Sequence, residues 1–352
     1  MKKKILSLAL CFCLLTSVAA LGGCVGSDRV TLNVYNWGEY IDMSVKREFE
    51  RETGIKVNYT TYDTNEAMYA KISSGAAAYD VIFPSDYMIS KMIAEDMLAE
   101  LDFSNIPNYS MIGGDYKDLE YDPQNKYSVP YTWGTIVIIY NTKMVDPADV
   151  EAKSVDLLWN EKYSGQILMF DNPRDAFGLA LSKLGYSMNS DNEAEWREAA
   201  AELKKQKPLL QAYVMDQIFD KMSYGEAAIA PYYAGDALIM QEDNPDIDFY
   251  LPAEGFNLFV DAMCVMKNSK HKKEAEEFIN FMCRTDIAVK NAEAIGYATP
   301  QMEAKSRLDS ELTSNLTVYP TGDILEKAEA FYMLPKEINQ LQSDLWTELK
   351  KD

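Results

Sequence analysis

The chain has 352 residues, of which 47% are hydrophobic and 12% aromatic. That composition excludes a disordered chain, which buries too little apolar surface to offset its conformational entropy, and a chain this long has room for two units of roughly 100 to 200 residues each. The formal net charge of −21 argues against nucleic-acid binding and for attraction of small cations.

The first residues read as a targeting segment. Lys2, Lys3 and Lys4 precede an apolar run over residues 5–20, the order found in a secretory signal peptide. The run ends in Leu21-Gly22-Gly23-Cys24, which resembles the bacterial lipobox, where the peptide is cut before a cysteine that receives a diacylglyceryl group. As an uncleaved transmembrane helix the run would be short for a bilayer. Residues 1–23 are therefore set aside as a lipoprotein signal, with Cys24 as the lipidation site and residues 24–29 as a lipidated linker. The charge becomes −24 once the three signal lysines are taken off the formal −21. Of the five cysteines, Cys11 and Cys13 leave with the signal. Cys264 and Cys283 lie in apolar patterns, which points to buried free thiols rather than a disulfide.

From Val30 onward strand-like and helix-like segments alternate, which argues for α/β layers around a largely parallel sheet. A strand is expected over residues 30–35, then a loop carrying Trp37, Glu39 and Tyr40, then a helix over 42–53 stopped by Gly54. Residues 55–62 form the next strand. Thr64 caps a helix reaching Ser74, and a short buried strand over 80–83 leads to Pro84-Ser85-Asp86-Tyr87, with Ser85 as helix N-cap. The aromatic-rich segment around Gly134, ahead of a strand over 136–140, is a candidate crossover between two lobes. In the second lobe a strand over 166–170 ends at Asp171 to Asp175 before a helix over 176–184. A long amphipathic helix over 192–207 is stopped by Pro208, and a strand over 227–233 ends at Ala234-Gly235-Asp236. Residues 255–266 make the return crossover and 272–283 a helix. The tail, 324–350, is mostly helical and broken at Pro335.

Catalytic signatures are missing. His271, the one histidine, sits among Lys270, Lys272 and Lys273 on a solvated face, so histidine triads and nearly all zinc or iron–histidine sites fall away. The sequence has no phosphate-binding glycine loop, dinucleotide fingerprint or calcium loop. What recurs is an acid beside aromatics at strand ends: Glu39 with Trp37 and Tyr40, Asp86 with Tyr87, Asp236 with Tyr232 and Tyr233, and Asp261 with Phe259. Asp171 and Asp175 end another strand, and Tyr297 follows Gly296. In open α/β sheets strand ends bear the ligand. Rings and carboxylates together suit a flexible cation with more than one amine.

Six segments carry a resemblance: Tyr35-Asn36-Trp37-Gly38-Glu39-Tyr40, Glu52-Thr53-Gly54-Ile55-Lys56-Val57, Asn65-Glu66-Ala67-Met68-Tyr69-Ala70-Lys71, Pro84-Ser85-Asp86-Tyr87, Tyr127-Ser128-Val129-Pro130-Tyr131 and Ile295-Gly296-Tyr297-Ala298-Thr299-Pro300. Together they resemble the spermidine/putrescine-binding subunits of bacterial ABC importers over essentially the whole mature chain. The resemblance implies the class II periplasmic-binding-protein fold, an α/β architecture of two lobes joined by two crossover strands with the ligand cleft between them. Lobe 1 is expected over 30–134 and 262–318, and lobe 2 over 135–261 and 319–352. The implied pocket falls on Trp37, Gly38, Glu39, Tyr40, Ser85, Tyr87, Asn172, Asp175, Tyr233, Asp236, Phe259, Asp261 and Tyr297.

In this comparison Glu39, Asp175 and Asp261 pair with amines, helped by the Ser85 and Tyr297 hydroxyls. Trp37, Tyr40, Tyr87, Tyr233 and Phe259 sandwich the methylene chain. Asp236 resembles an acid of the putrescine-preferring members. Four positions depart from the pattern. Gly38 replaces a hydroxyl residue, Tyr233 and Phe259 stand where tryptophans are usual, Asn172 stands where an acid often is, and no glutamine lies near Tyr332 to close the pocket.

The expected function is a lipid-anchored, extracytoplasmic receptor that binds a polyamine (putrescine, spermidine or both) and delivers it to an ABC permease in the cytoplasmic membrane. It is expected to be no enzyme, to act as a monomer, and to need neither cofactor, metal nor nucleic acid. Two alternatives are a ferric-ion receptor of the same fold, using Tyr232 and Tyr233, and a surface glycosidase using Asp171 and Asp175.

Overall fold

A computed structural model describes residues 29–75 and 77–351. The signal segment, Cys24 and most of the linker lie outside the described residues. Ten strands form one sheet: β1 (Thr31–Trp37), β2 (Lys56–Tyr62), β3 (Val81–Ile82), β4 (Ser128–Asn141), β5 (Ile167–Phe170), β6 (Leu210–Val214), β7 (Ile229–Tyr233), β8 (Ile247–Tyr250), β9 (Phe256–Val265) and β10 (Ala328–Glu329). Their order is β2-β1-β3-β9-β4-β7-β5-β6, with β10 on β9 and β8 on β4.

The two flanks are parallel, β1 with β2 and β3 on one side and β5 with β6 and β7 on the other. The centre is antiparallel, because β4 and β9 run against each other and against β7 and β3 respectively. The expectation of a largely parallel sheet therefore holds only for the flanks. Both central strands are buried along nearly their whole length and pass from one flank to the other, as the two crossovers were expected to do. The strand expected over 136–140 is the second half of the 14-residue β4. Its register against β9 shifts between Pro130 and Thr132, where a bulge accommodates a residue that cannot donate to the ladder.

Helix starts follow the local chemistry. Helix α1 (Met43–Thr53) is capped by the Asp42 carboxylate accepting from the Ser44 amide and stops at Gly54, whose φ of 75° only glycine adopts freely. Helix α2 (Asn65–Ser73) is capped by Thr64. Helix α3 (Asp86–Ala94) has Ser85 at its N-cap position as expected, although the Ser85 hydroxyl makes no cap bond. Helix α4 (Pro173–Lys183) begins three residues before the expected position, because Asn172 caps it and Pro173 opens it. Helices α5 (Glu193–Gln206) and α6 (Ala234–Asp243) complete that flank, while α7 (Lys272–Met282) and α8 (Thr285–Ile295) return to the first. The tail is less helical than expected: a 3₁₀ turn (Gly322–Lys327) and β10 precede α9 (Lys336–Lys351), which packs on α5 and α4.

Two apolar clusters fill the interior, one confined largely to the β1 flank and the other running from the β5 flank across β4 and β9 to Tyr35, Met68 and Met88. One gathers Leu32, Val34, Phe49, Phe83, Phe278 and Phe281, and the other Phe170, Phe177, Trp196, Ile229 and their neighbours. Phe49 is fully buried, edge-on to Phe278 at 5.1 Å and Phe281 at 5.3 Å. Truncating it to alanine would cost about 3–5 kcal/mol. Cys264 and Cys283 are buried free thiols. Among the described residues no helix is long and apolar enough to cross a bilayer.

Candidate functional site

Where the two flanks face each other across β4 and β9 lies a cleft whose empty space, counted with its open mouth, is about 680 Å³. All thirteen residues singled out from the sequence line it: Trp37, Gly38, Glu39 and Tyr40 from the end of β1; Ser85 and Tyr87 from the start of α3; Asn172 and Asp175 from the start of α4; Tyr233 and Asp236 from the β7–α6 junction; Phe259 and Asp261 from β9; and Tyr297 after α8. Trp37 is the last residue of β1 rather than part of the following loop.

Aromatic rings form a continuous wall. Tyr40 lies 5.0 Å from Tyr297, which is 5.9 Å from Phe259, which is 5.3 Å from Tyr233. Trp37 is held by its indole N–H donating to the Phe83 carbonyl at 2.8 Å. The Tyr297 ring packs directly on α6 at Gly235, where any Cβ would overlap it.

Each central carboxylate is oriented by one phenol. The Tyr233 hydroxyl donates to Asp175 at 2.8 Å, the Tyr297 hydroxyl to Asp236 at 2.6 Å, and the Tyr40 hydroxyl to Asp261 Oδ2. A phenol satisfies one carboxylate oxygen and leaves the other for a ligand donor. Asp261 Oδ1 is buried with no hydrogen-bond partner. Burial is the main cause of raised pKa values in all three acids, pushing Asp175 up to about 7, Asp236 to about 8 and Asp261 to about 6. For Asp236 the charges of Asp216 and Glu39 add to it, whereas Asp175 feels Glu66 and Asp261. The cleft thus has two acidic ends, one around Asp236 with Glu39 and Asp216, the other around Asp175 with Asp261. Among the described residues no lysine or arginine lines it.

Other groups play supporting parts. Ser85 Oγ accepts from Asn65 Nδ2 at 3.0 Å, which fixes it on the cleft wall. The Tyr87 hydroxyl donates to Glu66 at 2.9 Å, so the ring faces the cleft while its polar end is anchored behind. Asn172 Oδ1 accepts from the Arg174 amide at 3.0 Å, and the second lone pair of that oxygen is left to accept from a ligand. Asp86 accepts the Tyr87 and Val260 amides at 2.7 and 3.3 Å and ties α3 to β9. Asp171 lies outside the cleft, paired with Lys350 at 2.8 Å, so it cannot act with Asp175 on a glycoside. Tyr232 and Tyr233 aim at different acids, Asp216 and Asp175. Burial raises both phenols well above their usual pKa, opposing the tyrosinate that ferric iron needs.

Sequence reasoning missed Asp63, Asn65, Met215, Asp216, Phe219, Asn257 and Phe331 in the lining. Asp63 and Asp216 each follow a strand, β2 and β6, the same signal that marked the other acids. Strand β6 itself went unrecognised, which hid Asp216.

Comparison with known proteins gives the family and the fold. The family profile of bacterial extracellular solute-binding proteins matches residues 44–317. The spermidine/putrescine-binding periplasmic protein of Escherichia coli K12 is 37% identical over 303 residues, covering 86% of each chain. A Listeria monocytogenes structure ascribed to a spermidine/putrescine ABC transporter is 40% identical, with a TM-score of 0.86 over 91% of this chain and 98% of its own. A lipoprotein of Treponema pallidum is 27% identical, with a TM-score of 0.80 over 91% of this chain and 99% of its own.

Proposed function

The chain belongs to the bacterial extracellular solute-binding protein family, and on that premise we propose that it is the polyamine receptor of an ABC-type importer. The observation that carries this reading is the cleft itself, with acids at both ends, an aromatic wall between them and no facing cation. A ligand with ammonium groups at its ends and methylenes between them satisfies all three features at once. The relatives named for spermidine and putrescine point to the same class.

In this account one ammonium lies against Asp175 and Asp261, the other against Asp236 and Glu39. Trp37, Tyr40, Tyr87, Tyr233 and Phe259 cover the methylenes. Ser85, Asn172 and Tyr297 offer polar contacts, and Gly38 contributes backbone to the wall. Lobe 1 comprises residues 30–134 and 262–318, lobe 2 residues 135–261 and 319–352, and they close by bending β4 and β9. The Leu21–Cys24 motif anchors the mature, monomeric chain through Cys24 on the extracytoplasmic face, where it meets its permease; the Treponema relative is also named a lipoprotein. Two or more acyl chains give stable anchoring.

The test is calorimetric titration of the protein without its leader against putrescine, spermidine, spermine, thiamine, amino acids and ferric iron. Heat with the amines and none with iron supports the reading; no heat with any amine refutes it.

A further inference from the structure

At the Glu39 end of the cleft the two lobes touch through Gly38, which the resemblance includes, and Asp216, which it does not. Gly38 follows β1 and Asp216 follows β6, strands on opposite sides of the central β9–β4 pair. A Cβ built on Gly38 would collide with Asp216 Oδ2 and lie 3.4 Å from Asp216 Cγ. The carboxylate thus fills the volume that a side chain at 38 would need. Asp216 lines the cleft, is exposed at its mouth, and accepts a long hydrogen bond of 3.5 Å from the Tyr232 hydroxyl. Beyond desolvation, the charges of Asp63 and Glu39 raise its pKa, and its own charge raises that of Asp236. Acids from both flanks therefore converge here, and neither lysine nor arginine lines the cleft or the adjoining hollow beyond Asp216 and Asp220.

We propose that Asp216 is a further amine-binding residue, which with Glu39 and Asp236 holds one ammonium group of a diamine or polyamine, and that Gly38 is the side-chain-free position that admits it. The inference rests on the polyamine reading. Like charges brought together from two lobes oppose closure until a cation lies between them, so this contact is an electrostatic latch that ligand completes. It also explains the departure at position 38: the hydroxyl missing from β1 is replaced by a carboxylate reaching across from the opposite lobe.

The test is a double-mutant comparison in the purified protein, read by calorimetric titration with putrescine. Asp216→Asn should weaken binding about two- to fivefold, as befits a partly exposed ion pair. Gly38→Ala should weaken it to a similar extent, about two- to fivefold, because the added methyl must displace the Asp216 carboxylate from its place beside the amine. In an Asp216→Gly background, Gly38→Ala should add no further loss, since its collision partner is gone. Raising the salt should shrink the Asp216→Asn effect. The proposal is overturned if Asp216→Asn or Gly38→Ala binds like the parent, or if the Gly38→Ala loss persists in the Asp216→Gly background. A parent protein that binds no amine at all refutes the polyamine reading instead.

Discussion

Removing the Asp261 carboxylate is the sharpest single perturbation of the cleft. Asp261 is 3% exposed, its Oδ2 accepts from the Tyr40 hydroxyl, and its Oδ1 is buried without a partner. Lobe closure leaves an ammonium at Oδ1 no water to fall back on. Asp261→Asn keeps the shape and deletes the charge, so the desolvated amine loses one of its two facing carboxylates and keeps only Asp175. That costs roughly 3–5 kcal/mol, or about a hundredfold to several thousandfold in Kd at about 1.4 kcal/mol per decade. Titration calorimetry of parent and variant with putrescine measures the ratio, and circular dichroism checks that both are folded. The free variant should melt no lower than the parent at pH 7.5, because ionised Asp261 opposes folding when its pKa is raised to about 6. A folded Asp261→Asn protein that binds putrescine within about threefold of the parent would refute the reasoning.

Further outcomes follow from the same geometry. Asp175, Asp236 and Asp261, raised to about 7, 8 and 6 in the free cleft, must ionise to hold ammonium groups. Putrescine affinity should therefore rise from pH 5 to pH 8, with protons released on binding near pH 6.5 (about midway in that range). Calorimetry in two buffers of different ionisation enthalpy detects the release. With folded values raised above unfolded ones, the three acids favour the free fold at low pH, and its melting temperature should fall as pH rises from about 4 to about 8; added putrescine should offset the fall. Gly235→Ala has no room beside the Tyr297 ring and should cost about tenfold or more in affinity by breaking the Tyr297–Asp236 bond. Asp171→Ala, which removes an exposed ion pair with Lys350, should change stability by less than about 1 kcal/mol and leave binding unaltered. Cys264 and Cys283, buried and with thiols pushed upward by burial, to about 12 for Cys283, should react with a thiol reagent only after denaturation.

Much of the cleft was legible because its residues sit where the chain changes from strand to helix. Such junctions carry punctuation that sequence shows well: Asn172 before Pro173, Ser85 after Pro84, and Gly235 ahead of Asp236. The long central strand was less legible. Pro130 and Gly134 break the usual strand pattern, yet a bulge absorbs the proline and the glycine lies against the Phe259 ring. Asp216 stayed hidden because β6 is a short, half-buried edge strand without a continuous apolar run. Ser85 holds the N-cap position that the sequence marks, but its hydroxyl faces the cleft wall and takes the Asn65 amide, twenty residues away, rather than a helix N–H. Local sequence marks strand ends well; it does not show which ends meet across a cleft.

The most direct test of a diammonium ligand held between two acidic ends is a crystal structure of the protein with putrescine bound. The account predicts one nitrogen within about 2.7–3.2 Å of Asp175 or Asp261 and the other within that distance of Asp236 or Glu39, with the methylenes against the rings of Tyr40, Tyr233 and Phe259. Nitrogens facing solvent or backbone alone, with these carboxylates unengaged, would contradict it.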